Sequence, residues 1–448
     1  MTRCLARRRS LAFCLLVALT ACKPNEEAKL KAIIGAVLID GNGGPPITDS
    51  VVVVSGSRIR AAGLRANVPI PAEADKINGS GKFLTPGLID LHIHPGSRGG
   101  LFHAADYTRE RIEKNLNTCL YFGVTTVRSM GLERDAGFAA RKAERDGALL
   151  TTRLFTAGRG FTAPGGHPSQ EVGDIARQTD DPDDARRQVA EMAAQQVDCI
   201  KIWVDDLHGR RPKIKPAVID AILEEARKYN IPVVAHIFTL ADVQYLVNSG
   251  AAGFLHMVRD TEDIDAAFLA KLRALKIVFT PTLIREELGW LYSQHPERLQ
   301  DPDAARTIDP DIVEAVAKAA RESKPSPRSQ EEFARNMRNT KRMAVAGVPI
   351  GVGSDGGSGQ DFPGLMTHRE LELLVEAGLS PLEVVTAATR NGALALRKLD
   401  ELGTIEAGKR ADLVLLNANP LEDVRNFRKI DRVMLDGEWI DRASLKVK

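Results

Sequence analysis

Six side chains suited to holding metal or moving protons stand in or at the ends of short apolar runs: His92 and His94, Lys201, His236, His256 and Asp355. Neutral imidazole is the commonest protein ligand for zinc-like ions, and two imidazoles at i and i+2 of a strand can point at one ion. The runs Val233-Val-Ala-His236 and Gly253-Phe-Leu-His256 each end in histidine, and Gly351-Val-Gly-Ser-Asp355 ends in a carboxylate. Lys201 is a different signal, because it lies inside the apolar run Cys199–Val204 with Cys199 and Trp203 on its face. A buried unpaired ammonium is costly, so its charge must be removed or matched. Any one of these histidines alone is as readily a packed core residue. Their order and their placement at run ends point to one shared centre.

Side chains alternate along a strand, so Leu88, Asp90, His92 and His94 are expected on one face and Ile89, Leu91 and Ile93 on the other. Asp90 would then lie one layer below His92, as a supporting carboxylate or an interior polar group. The full stretch Thr85-Pro-Gly-Leu-Ile-Asp-Leu-His-Ile-His94 resembles the first barrel strand of the amidohydrolase superfamily. Within it, the chain is most similar to the imidazolonepropionase-related and prolidase-like peptidase branch.

That resemblance implies a binuclear centre. His92, His94 and Asp355 would hold one divalent ion and His236 and His256 the other. Lys201, converted by carbon dioxide to an anionic carbamate, would bridge both. Zinc is the expected element, since nitrogen ligands dominate. The implied reaction is hydrolysis of a carbon-nitrogen bond in a small amide or dipeptide, prolidase-like or carboxypeptidase-like, by a metal-bridging hydroxide. Asp355 would take and return the proton, and His167, in Ala163-Pro-Gly-Gly-His167, would steady the oxyanion. The alternatives are a cyclic amide, a lactone or a phosphotriester and, outside enzymes, a metal-binding surface lipoprotein. In one respect the chain departs from its relatives: Ile237 and Phe238 follow His236 where a hydroxylated aromatic is frequent, which weakens transfer of the substrate class.

These residues need a scaffold that presents strand ends together. Apolar strand candidates alternate with helical stretches: 88–94, Val124–Ser129, Leu154–Ala157, Cys199–Val204, Pro232–Ile237, Gly253–Met257, Ile277–Leu283 and Val348–Asp355. Helices are expected between them, as at Asp184–Gln196 and Pro216–Lys228. This alternation reads as an α/β chain, a (β/α)8 TIM-type barrel over 85–399, with active groups at the carboxyl ends of its strands. Segments 30–84 and 400–448 carry short strands and turns, and by the resemblance both chain ends join in one small flanking β domain. A charged, mostly helical insertion at 285–343 follows the seventh strand, where long connections serve as lids.

Lys+Arg 61 against Asp+Glu 59 gives a net charge of +2, no basic field for nucleic acid and no acidic tail. The expected partner is a small-molecule or dipeptide substrate, with a homo-oligomer left open. The start, with Arg3, Arg7, Arg8 and Arg9 before the apolar Leu11–Leu19, reads as a targeting segment, residues 1–21. Leu19-Thr20-Ala21-Cys22 resembles a bacterial lipobox, implying lipid on Cys22, a tether over 22–29 and membrane attachment through that anchor alone. Lys23 after the cysteine resembles the outer-membrane sorting pattern. Cys119 and Cys199, in apolar surroundings, are expected as buried structural thiols.

Overall fold

Pro86 ends an antiparallel ladder and Leu88 opens a parallel one, with Gly87 at the change. A Cβ on Gly87 would lie 2.1 Å from Thr125 Oγ1, so only glycine lets the two sheets meet this closely. The computed structural model describes residues 29–98 and 106–448. The targeting segment, Cys22 and most of the tether lie outside the described residues.

The flanking sheet is built from β1 (Leu30–Leu38), β2 (Ile47–Ser55), β3 (Arg58–Leu64), β4 (Asp75–Asn78) and β5 (Phe83–Pro86). The parallel strands follow as β6 (Leu88–Ile93), β7 (Val124–Ser129), β8 (Arg153–Thr156), β9 (Phe161–Thr162), β10 (Arg177–Gln178), β11 (Ile200–Val204), β12 (Val233–Ile237), β13 (Gly253–Leu255) and β14 (Val278–Thr280). The chain then returns to the flanking sheet with β15 (Leu413–Leu416), β16 (Ile430–Leu435) and β17 (Glu438–Ile440). β15 lies antiparallel to β5, with Leu413 opposite Pro86 and Leu415 opposite Leu84, so the two ends of the chain share one sheet. Its core is Ile33, Val52, Val54, Ile59, Leu84, Leu415 and Met434.

The parallel ladders form two sheets, β6-β7-β8 and β10-β9-β11-β12-β13-β14, rather than one continuous ring. Between β14 and β6 the expected eighth strand, Val348–Asp355, is not a regular strand. It makes single bridge pairings, Ile350 with Phe279 and Gly356 with Ile93, and backbone bonds such as Leu91 N to Val352 O (2.8 Å). Pro349 lacks a donor, and Gly351 and Gly353 are sites where a Cβ would meet Leu91 and Thr280 at 2.6 and 2.4 Å, so the segment is shaped for close approach rather than pleating. Between β8 and β11 the link is Asp198 N to Thr156 O (2.8 Å).

Helices cover the outer faces. Arg109–Tyr121, capped by Thr108, buries Ile112, Leu116 and Leu120 in a core shared with Leu88, Ile93 and Val127. The helix expected at 184–196 runs Pro182–Ala194, because Asp181 accepts from Asp183 N and Pro182 fills the first turn, starting it earlier. The insertion forms helices including Pro302–Thr307, Pro310–Glu322 and Pro327–Val345. It is held down by Arg428 on Asp301 (2.6 Å) and by Lys114 and Arg111 on Asp309 (2.6 and 3.2 Å). Cys119 and Cys199 are free and buried, and no helix among the described residues is long and apolar enough to cross a membrane.

Candidate metal centre

β6 delivers its histidines by breaking alternation. Its pairing with β7 shifts register between Asp90 and Ile93, and an extra residue reverses which side chains face which way. Leu88 and Ile93 pack outward with Leu116 and Leu120, whereas Ile89 and Leu91 pack inward with Phe155 and Val278. The expected shared face for Leu88, Asp90, His92 and His94 is thereby corrected. Asp90 Oδ2 accepts from Thr367 Oγ1 (2.7 Å) on the helix Leu365–Glu376, and Oδ1 accepts from the backbone of His92 (3.0 Å) and Ser354 (3.1 Å). Its carboxylate pins β6 to the 349–356 segment and bonds no imidazole.

Asp355 sits at the end of that segment with a left-handed φ of 64°. Its N–H donates to His92 O (2.7 Å), and Gly356 O accepts from His94 N (2.6 Å). Its Oδ1 lies 3.1 Å from His92 Nε2 and 2.9 Å from His94 Nε2. One ligand atom from each of the three falls within 4.8 Å of the others. Gly357 allows this crowding, since a Cβ there would be 2.1 Å from His94 O.

The remaining positions come from β11 to β13. In register, Lys201 is opposite Val234 and Trp203 opposite His236, while His256 follows β13 with φ 64°. The imidazoles form a row: ring centres are 5.3 Å apart for His94 and His92, 5.3 Å for His92 and His256, 4.2 Å for His256 and His236, and 5.1 Å for His236 and His167. Lys201 Nζ is 5.1 Å from the Trp203 ring centre. Gly131 and Gly160 flank this pair, and a Cβ on either would come within 2.5 Å of the indole.

Hydrogen bonds outside the row select tautomers. Thr282 Oγ1 donates to Pro281 O (2.7 Å) and is also bonded to His256 Nδ1. A hydroxyl has one proton, so toward the ring it accepts; His256 therefore carries its proton on Nδ1 and keeps a lone pair on Nε2. His236 Nε2 is 3.1 Å from Asp205 Oδ2, which leaves Nδ1 as its lone pair. Gln170 Nε2 donates to His167 Nδ1 (2.9 Å), leaving His167 with a donor on Nε2.

Burial sets the charges. It takes His92 and His256 well below the usual imidazole range and His236 down to about 3, against the pull of Asp205. Burial opposes ionisation of Asp355, but His92, His94 and the Arg285 guanidinium outweigh it and hold the carboxyl low. Burial also pulls the Lys201 ammonium down to about 7 against the Asp355 charge. Lys201 Nζ, His92 Nδ1 and His94 Nδ1 are buried with no hydrogen-bond partner. Imidazoles of which His92, His236 and His256 are held neutral by burial, a carboxylate held low and an unpartnered amine are a donor set that fits divalent cations.

Three contributors escape a reading of the sequence. Asp205, in Val204-Asp205-Asp206 at the end of β11, is the partner of His236; a carboxylate closing a strand that already holds Lys201 is a signal that could have found it. Thr282 (φ 50°) and Arg285, whose Nε is 3.4 Å from Asp355 Oδ2, carry no local signal.

Residues 83–440 match the model of the amidohydrolase family. The chain is 24% identical to ochratoxinase of Aspergillus niger, covering 90% of this chain and 84% of that one. It is 22% identical to imidazolonepropionase of Alkaliphilus metalliredigens, covering 92% and 97%. Among solved structures it superposes on a Bifidobacterium longum protein assigned as a prolidase, with TM-score 0.74, 28% identity and coverage of 93% and 95%. A Xaa-Pro dipeptidase structure shares the fold at TM-score 0.73, 22% identity and coverage of 92% and 100%. These likenesses identify the parallel sheets and their helices as a TIM-barrel-like domain beside a β domain.

Proposed function

Because this chain belongs to the amidohydrolase family it is a hydrolase, and we propose that it is a binuclear metal-dependent one, cleaving the carbon-nitrogen bond of a small amide or dipeptide. The observation that carries the reading is the meeting of His92 and His94 on Asp355 Oδ1 while fully buried Lys201 Nζ has no partner. In this reading His92, His94 and Asp355 hold one divalent ion, and His236 and His256 the other through the lone pairs their neighbours leave free. Lys201, as its carbamate, would serve both ions, and zinc is the expected element.

Bound there, the ions supply Lewis-acid polarisation of a carbonyl and make nucleophilic water available at neutral pH. The chain's own groups handle protons and charge. The Asp355 carboxylate takes a proton from the attacking water and returns it to the leaving amine. His167, beside His236 and with Nε2 left as its donor, steadies charge on the carbonyl oxygen. An amine brought to about 7 is partly neutral at physiological pH and so nucleophilic toward carbon dioxide. The ammonium gives up one proton, the neutral nitrogen forms a bond to the carbon of carbon dioxide and a second proton leaves, so a buried cation becomes an anion.

The Xaa-Pro dipeptidase and prolidase-type neighbours make dipeptides the first substrates to try. The test is turnover of a dipeptide, cyclic amide, lactone and phosphotriester panel, with metal content measured alongside. Close to two ions per chain and dipeptide cleavage, both lost in His92→Ala and His256→Ala, support the reading. Full turnover after exhaustive chelation overturns it. Beside this we propose that the mature chain begins at a lipidated Cys22 in the cell envelope, on the outer membrane where the source has one.

A further inference from the structure

We propose that Arg285 receives a free carboxylate of the substrate, so that the favoured substrates are N-acyl amino acids, dipeptides included, ionised beside the scissile amide. This rests on the hydrolase reading above and narrows it.

Arg285 lies on the short helix Leu283–Glu287 just beyond β14, on the side where the strand ends meet. The mount is rigid, because the N–H groups of Leu283 and Ile284 donate to Glu370 at 3.1 and 2.9 Å. Charges on the helix are sorted by direction. Glu286 is bound to Arg259 (2.6 Å) and Asn336 (2.9 Å), and Glu287 to Arg369 (2.6 Å). Arg285 turns the other way, with its Nε 3.4 Å from Asp355 Oδ2 and its side chain 39% exposed. Its Nη groups donate to no described residue.

The other cations near the centre are committed. Arg259 is held by Glu286, by Ile237 O (2.9 Å) and by the Phe238 ring (4.8 Å), Arg128 is buried with Nε on Leu91 O (3.1 Å), and Lys201 is fully buried. Among the described residues near the centre, Arg285 is therefore the cation with donors still open to solvent. Its charge is felt both by Asp355, given the proton transfer, and by His167, given the carbonyl oxygen. The Asp361 carboxyl is fully buried, burial pushes it up, and neither of its oxygens bonds the guanidinium.

A guanidinium fork matches a planar carboxylate with two parallel hydrogen bonds, which an ammonium cannot do. With cations on Asp355, the pull that now holds Arg285 weakens and the local charge becomes positive. An arriving carboxylate relieves that charge, whereas a neutral carboxamide does not.

The test is calorimetric binding of N-acetyl-L-phenylalanine and N-acetyl-L-phenylalaninamide to the metal-loaded protein, with hydrolysis of glycyl-L-phenylalanine and its carboxamide in parallel. The wild type should prefer the carboxylate by about ten-fold or more. Arg285→Met and Arg285→Gln should bring that ratio toward one at unchanged metal content and melting temperature, and Arg285→Lys should keep part of it. A carboxylate preference that persists in Arg285→Met and Arg285→Gln means that the ions alone bind the carboxylate, and overturns the proposal, as does a wild type with no preference. A ratio that collapses while no amide is cleaved sinks the hydrolase reading and leaves the Arg285 subsite standing.

Discussion

The Thr282 hydroxyl decides which nitrogen of His256 faces the centre: it gives its own proton to Pro281 O at 2.7 Å and so accepts from His256 Nδ1. Removing it frees the ring to turn. Thr282→Val keeps the shape and loses the acceptor, and should lower affinity for one metal by about 10- to 100-fold, while Thr282→Ser retains it. Titration against a competing chelator reads this directly. Equal affinities for wild type and Thr282→Val would mean that packing alone orients the imidazole.

Lys201 is where the binuclear reading is most exposed. Lys201→Ala should lose metal and nearly all activity, and a short carboxylic acid such as acetate should restore part of both by supplying two oxygens without the tether. Lys201→Arg should fail throughout, because guanidinium keeps its charge and forms no bridging carbamate. Normal metal content and rate in Lys201→Arg would remove the bridge from the mechanism.

His368, away from the centre, makes the fold acid-sensitive. Its Nε2 donates to Phe122 O (2.8 Å), and burial takes it from 6.5 to about 4. Between those values the unfolded chain binds a proton that the folded chain refuses. The stability is thus intact above pH 6.5 and declines as pH falls toward 4, by ~3 kcal/mol from this residue. His368→Gln should flatten the fall in urea-unfolding free energy between pH 6.5 and 4. An unchanged slope in the variant would place the acid sensitivity elsewhere.

Processing at Cys22 has a mass signature. Membrane fractions should yield an amino-terminal peptide starting at Cys22 and carrying lipid, with detergent needed to release the protein. A soluble chain with an unmodified amino terminus at or beyond Lys23 contradicts the anchor.

Much of this molecule is legible along the chain because its chemistry is placed by local rules. Apolar runs spaced by helices expose their boundaries, and imidazoles at the ends of such runs stand out from the core, so His92, His94, His236, His256 and Asp355 are legible in the sequence alone. The joining of β5 with β15 in one sheet was likewise expected, through the likeness of both ends to a flanking β module. What tertiary structure alone decided begins at β6. Strict alternation puts Asp90 with His92, but the register shift between Asp90 and Ile93 turns that carboxylate outward to Thr367. A bulge depends on the neighbouring strand, which the local pattern does not contain. The strand ends expected at Met257 and Leu283 fall at Leu255 and Thr280, since His256 and Thr282 adopt left-handed φ values that propensity disfavours and only surrounding contacts can hold. Thr282 and Arg285 are unremarkable as letters, and Asp205 shows only as a carboxylate closing the strand that holds Lys201. Each acts through a partner 26 or more residues away, and the pairing exists only once the strand ends have been drawn together.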